Sequence, residues 1–187
     1  MGSSHYQSCT VINKSQGSFN PVVYGVIKKC ASDIFKIIAY KNNMCCNIII
    51  FPNVFGANDK PNTAIVFFIK RLLANEPLNL ISGDYPDDWV YIDDLVDGII
   101  RAAKSDKEYA EYFIGHRNIT TFKKKLTAIK TMLSSKSELL FGTYPEISRV
   151  DYDQFDLDAL YRDTGFEIET DFADSIRKTA ECVKILR

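Results

Sequence analysis

Tyr24 and Lys28 stand four residues apart in the run Tyr24-Gly25-Val26-Ile27-Lys28. On a helix that spacing puts both side chains on one face. An ammonium beside a phenol favours the phenolate. A phenol so placed can take or return the proton of a substrate hydroxyl while hydride moves to or from a nicotinamide. A helix surface that merely contains a Tyr and a Lys has the same spacing, so the pair by itself does not establish that chemistry. Asp93 and Asp94 invite a metal or acid/base reading, but they precede Leu95-Val96 and fit helix capping better. Lys123-Lys124-Lys125 reads as the solvated face of a helix and not as a phosphate site.

The elements that must position these residues follow from periodicity. Val23, Ile27, Cys30, Ala31, Ile34, Phe35 and Ile38 recur at helical spacing, predicting a helix from Val22 to about Asn42. Cys45 to Phe51 is continuous and β-branched, as in a buried strand of a parallel sheet. Pro52 to Asn62 reads as loop. Further helices are expected over 63–75, 94–104, 121–133, 156–163 and 171–186, with strands at 78–81, 89–92, 112–114 and 138–141. This alternation argues an α/β fold. Residues 1–21 are Ser-, Asn- and Gly-rich and read as irregular. Trp89 and Tyr91 are expected as half-buried strand residues, and Met44, Phe67 and Phe68 as core.

Composition removes several function classes. With 23 basic and 24 acidic residues the net charge is −1, so no long-range field draws nucleic acid or an anionic membrane. The longest apolar run, Ile48 to Phe55, is interrupted by Pro52 and Asn53 and is too short to span a bilayer. Met1-Gly2-Ser3-Ser4-His5 has neither a basic nor an apolar leader region, and a cytoplasmic location is expected. The five cysteines, Cys9, Cys30, Cys45, Cys46 and Cys182, form no Cys-x-x-Cys and are expected as buried, reduced thiols. His5 and His116 are the only imidazoles, so no metal site is expected.

Beyond these local patterns, the order of segments is informative. Tyr24-Gly25 with Lys28-Lys29, then Phe51-Pro52-Asn53-Val54-Phe55-Gly56, then Asp88 to Asp97 resemble three successive signatures of the extended short-chain dehydrogenase/reductases, the NAD-dependent epimerase/dehydratase family. Tyr112-Phe113-Ile114-Gly115, the stretch from Asp156 to Phe166, Thr170-Asp171-Phe172 and Ser175 to Thr179 resemble the family's later segments. The resemblance spans residues 22–186. It implies the C-terminal part of a Rossmann-like parallel sheet plus a small α/β substrate-binding domain. Residues 1–21 would be an irregular segment, 22–60 a remnant of the dinucleotide-binding domain, and 61–187 the substrate-binding portion with C-terminal helices.

The resemblance also implies roles. Tyr24 would be the catalytic acid/base, and Lys28 would promote its phenolate and hydrogen-bond the nicotinamide ribose. Pro52 would pass close to the nicotinamide, and Asn53 would offer its amide to the substrate, although Asn is equally a turn former there. Gly56 is expected at a positive-φ turn. Ser4 is the candidate for the family's substrate-hydroxyl serine, although no strand is read before it. The cofactor would be NAD or NADP and the substrate a sugar, nucleotide-linked or not. A homodimer would form through the helix bearing Tyr24.

Two departures from the family pattern shape the expectation. No Gly-x-x-Gly-x-x-Gly precedes Tyr24, so the pyrophosphate and adenosine contacts have no counterpart and the chain is expected to bind NAD(P) weakly or not at all. Asp87 stands where the family carries Arg against a substrate diphosphate, and an anion there repels one. The expected protein is therefore a truncated epimerase/dehydratase-like oxidoreductase, inactive alone. The alternative is a non-catalytic remnant or protein-interaction module that keeps the substrate-domain fold.

Overall fold

The long first helix shows how the chain distributes its apolar side chains. The computed structural model describes residues 2–3, 21–59, 63–146 and 149–185. Gly2–Ser3 form a short strand, β1, and Pro21–Lys41 the helix α1. The Asn42 side-chain amide donates to Ile38 O at 2.7 Å, and Asn43 takes φ 51°, a left-handed conformation that Asn tolerates. Together they stop the helix, as the Asn-Asn pair suggested. α1 lies against β1 and the next strand, β2 (Cys46–Phe51). Its buried positions are small ones, Gly25, Ser32 and Ala39. The apolar stripe read from the sequence faces solvent instead, with Val23, Ile27, Ile34, Phe35 and Ile38 between 46% and 61% exposed.

The remaining elements alternate much as predicted. They are β3 (Asn53–Phe55), α2 (Ala64–Leu73), β4 (Leu78–Leu80), β5 (Trp89–Tyr91), α3 (Ile92–Ala103), β6 (Tyr109–Phe113), α4 (Phe122–Met132), β7 (Leu139–Phe141), α5 (Ala159–Thr164) and α6 (Phe172–Ile185). A 3-10 turn at Tyr152–Gln154 precedes α5. Among the described residues every strand pairing is parallel, in the orders β1-β2-β6, β3-β5 and β4-β7. No helix among the described residues is long and apolar enough to cross a membrane.

Two compact units result, each built from three separated stretches, whereas the sequence reading drew linear boundaries at 21/22 and 60/61. The first comprises Met1–Pro52, Leu95–Arg117 and Ser148–Glu167. In it β2 runs between β1 and β6, and Ile48, Ile49 and Ile50 are buried. Phe113 stacks on Phe155 at 5.2 Å and meets Tyr152 edge-on at 5.9 Å, geometries that aromatic pairs prefer. The second unit comprises Asn53–Asp94, Asn118–Ile147 and Ile168–Arg187. Its core joins Ile65, Ile69 and Leu72 of α2, Leu126 and Ile129 of α4, and Ile176, Ala180 and Val183 of α6.

Several expectations change. A strand does precede Ser4, because Gly2 and Ser3 pair with Ile50 and Phe51 of β2. β3 lies inside the segment expected as loop; its three residues become a strand only through pairing with β5, 36 residues later. Trp89 and Tyr91 are buried, not half-buried, because a parallel pair between packed layers is covered on both faces. Met44 and Phe67 are exposed by 60% and 45%, Met44 because it follows the helix end and Phe67 because it lies on the outer face of α2 under Arg71. Cys30 and Cys45 are exposed, and Cys46 and Cys182 are half-buried; all four are free thiols. Gly56 is not a positive-φ glycine: a Cβ there would meet Ile92 Cγ2 at 2.6 Å, so close packing against the start of α3 requires it.

Candidate functional site

α1 presents Tyr24 and Lys28 one turn apart, both half-buried. The Lys28 Nζ stands 5.4 Å from the centroid of the Tyr24 ring. The helical spacing thus brings the ammonium against the aromatic ring, a contact favourable in itself. Ser4, the third candidate in the catalytic set, lies outside the described residues.

Pro52 is buried between the ends of β2 and β3 in sequence, and Asn53 opens β3 with its side chain exposed. The pairing of β3 with β5 sets Asn53 opposite Trp89, two residues beyond Asp87. The Asn53 amide accordingly donates to Asp87 Oδ1, a long hydrogen bond of 3.4 Å. Asn53 thus serves a strand and a side-chain contact where the sequence also allowed a turn. Asp87 is pushed up to about 6, by burial first, against the opposing pull of Lys125 and a hydrogen bond with Trp89; neighbouring Asp88 adds to the rise.

Lys125 and Asp88 were not recognised from the sequence as a site. Lys125 is buried, and its ammonium donates to Asp88 Oδ1 at 3.2 Å, with Asp88 wholly inaccessible to solvent. The same oxygen accepts the Trp89 backbone N–H at 2.9 Å, and the ammonium lies 5.7 Å from the Trp89 ring centroid. Burial pushes the Lys125 ammonium down from its ordinary range, while Asp88 and Asp87 hold it up. The solvated-face reading of Lys123-Lys124-Lys125 therefore fails for its last member. A signal was available: Lys125 falls within the buried helical series Phe122, Lys125, Leu126, Ile129, where a charge implies a buried partner.

Asp94 also departs from expectation. It is buried in the first turn of α3, yet its Oδ1 accepts the backbone N–H groups of Glu169 and Thr170, each at 3.2 Å. The carboxylate ties the approach to α6 to α3 and does not cap its own helix.

Comparison with known proteins decides the family. The model of the NAD dependent epimerase/dehydratase family matches residues 4–115, more than half of the chain. The chain belongs to the NAD dependent epimerase/dehydratase family. A curated relative, UDP-glucuronate 4-epimerase 6 of Arabidopsis thaliana, is 21% identical over 83% of this chain and 38% of its own length. Among solved structures, UDP-glucose 4-epimerase of Thermotoga maritima with UDP-glucose superposes with a TM-score of 0.73 at 20% identity, covering 90% of this chain and 55% of that one. UDP-glucuronic acid 4-epimerase from Bacillus cereus in complex with NAD gives 0.69 at 16% identity, covering 92% and 53%. The chain thus spans about half the length, or less, of these relatives. The likenesses establish a Rossmann-like α/β fold for this epimerase/dehydratase family member, as its sequence implied.

Proposed function

We propose that this chain serves the NAD- or NADP-dependent oxidoreduction of a sugar, nucleotide-linked or free, of the epimerase/dehydratase type. The observation that carries the reading is the Tyr24–Lys28 pair, a phenol and an ammonium held together on one half-buried helix face. In it Tyr24 removes the proton of a substrate hydroxyl and later returns it, with the Lys28 ammonium against its ring. By the family resemblance Lys28 would also hydrogen-bond the nicotinamide ribose, Pro52 would pass close to the nicotinamide, and Asn53 would offer its amide to the substrate. NAD(P), when bound, supplies acceptance and return of hydride.

The donor set among the described residues fits one end of that cofactor. An ammonium and a phenol suit the nicotinamide ribose, whereas the first 23 residues carry no glycine-rich turn for the pyrophosphate. NAD(P) affinity of this chain is therefore expected to be weak.

Nicotinamide mononucleotide, which has the ribose end alone, is the direct probe. Saturation-transfer NMR should show contact at its nicotinamide and ribose protons, lost in Lys28→Ala. NAD should bind no more than about tenfold tighter than the mononucleotide, since the adenosine half adds few contacts. No transfer in the wild type, or an unchanged signal in Lys28→Ala, sinks the assignment.

A second reading, an interaction module on the same fold, is favoured by the exposed apolar face of α1. Self-association of two copies through that face is compatible with both readings.

A further inference from the structure

The pairing of Asn53 with Asp87 bears on which part of a substrate this edge of the second unit can receive. The amide-to-carboxylate contact is long, so neither group is saturated by the other. Asn53 retains a second N–H and its carbonyl, and Asp87 retains acceptor lone pairs. A donor and several acceptors side by side match a sugar hydroxyl, which both donates and accepts.

The surroundings hold Asp87 in place and leave an anion little to bind. Asp87 N donates to Thr120 O at 3.1 Å, and Pro86 bridges to Thr121. The first amides of α4, the usual anion-binding element, are already engaged. Phe122 N donates to Tyr85 O at 3.4 Å, Lys123 N to Gly83 O at 3.0 Å, and Lys124 N to Thr121 Oγ1 at 3.3 Å. The cations are engaged too: Lys125 pairs with Asp88 and Lys123 with Asp84, each at 3.2 Å. Asp87 and Asp88 against the single ammonium of Lys125 leave one net negative charge there when Asp87 is ionised.

We infer that Asp87 is a specificity-determining residue: with the Asn53 amide it receives a neutral sugar hydroxyl and excludes a diphosphate from that position. This rests on the proposed sugar chemistry, and it assigns the hydroxyl-bearing part of the ligand, not its phosphates, to this edge. The exclusion weakens where Asp87 protonates, near pH 6. The charged groups acting on it are Asp88 beside it and Lys125 of α4.

The test follows the Asn53 side-chain amide in ¹⁵N-labelled protein titrated with a methyl glucoside and, separately, with dimethyl diphosphate, which carries no sugar hydroxyl and keeps its charge between pH 5 and 7.5. At pH 7.5 the glucoside should move this resonance, and dimethyl diphosphate should act at least about tenfold more weakly. Dimethyl diphosphate should gain by a similar factor at pH 5, and at pH 7.5 in Asp87→Asn. Retained near-ultraviolet circular dichroism from Trp89 confirms that the isosteric variant is folded. Equal response to both ligands in the wild type overturns the inference, as does an unchanged response in Asp87→Asn or no response to either ligand. Failure of the oxidoreductase reading itself appears separately, as no transfer to nicotinamide mononucleotide in the wild type or an unchanged signal in Lys28→Ala.

Discussion

The Lys125 ammonium lies 3.2 Å from Asp88 Oδ1, and the two side chains are 7% and 0% exposed. A pair so withdrawn from water is costly to break, because the surviving buried charge loses its ion pair and gains no solvent. Replacing the pair as a whole removes both the desolvation cost and the attraction.

Lys125→Met should therefore destabilise the chain by about 3–5 kcal/mol, measured as a lower urea midpoint with unchanged slope. Adding Asp88→Asn should recover most of that loss, since the amide oxygen can still accept the Trp89 N–H. A single variant as stable as the wild type would show that the Lys125–Asp88 pair does not hold the fold together.

Asp87 makes stability depend on pH in a definite direction. Burial raises it from 3.8 to about 6, so the folded chain binds this proton more tightly than the unfolded one. The contribution is present below pH 3.8 and is lost as pH rises through about 6. Asp87→Asn should accordingly raise stability by about 1–2 kcal/mol at pH 7.5, allowing for partial exposure, and leave it little changed at pH 3.5. Equal effects at both pH values would show that the ionisation of Asp87 is not the cause.

The outer face of α1 leads to an expectation about assembly. Val23, Ile27, Ile34, Phe35 and Ile38 form an apolar stripe that soluble chains normally cover. Light scattering should give twice the 21.3 kDa chain mass, and Ile27→Glu with Ile34→Glu should return the protein to monomer. A wild-type monomer at about 100 μM, well above the dissociation constants of stable dimers, would refute this.

Helices were the most legible elements, because 3.6-residue periodicity and end signals such as Asn42-Asn43 are local. β3 was not legible: three residues after a proline carry no pattern of their own, and only the distant partner β5 makes them a strand. Gly56 illustrates the same limit. Its type was visible, but the reason for it, the approach of Ile92, is a contact across 36 residues.

By itself the sequence determined the α/β alternation, the helical placement of Tyr24 and Lys28 on one face, and the family. All three rest on spacing along the chain. Which side of α1 meets the sheet, that Lys125 is buried on Asp88, and that Asn53 finds Asp87 were decided only by the tertiary structure. Each depends on what lies opposite a side chain once strands far apart in sequence pair, and burial, not residue type, then sets the charge it can carry.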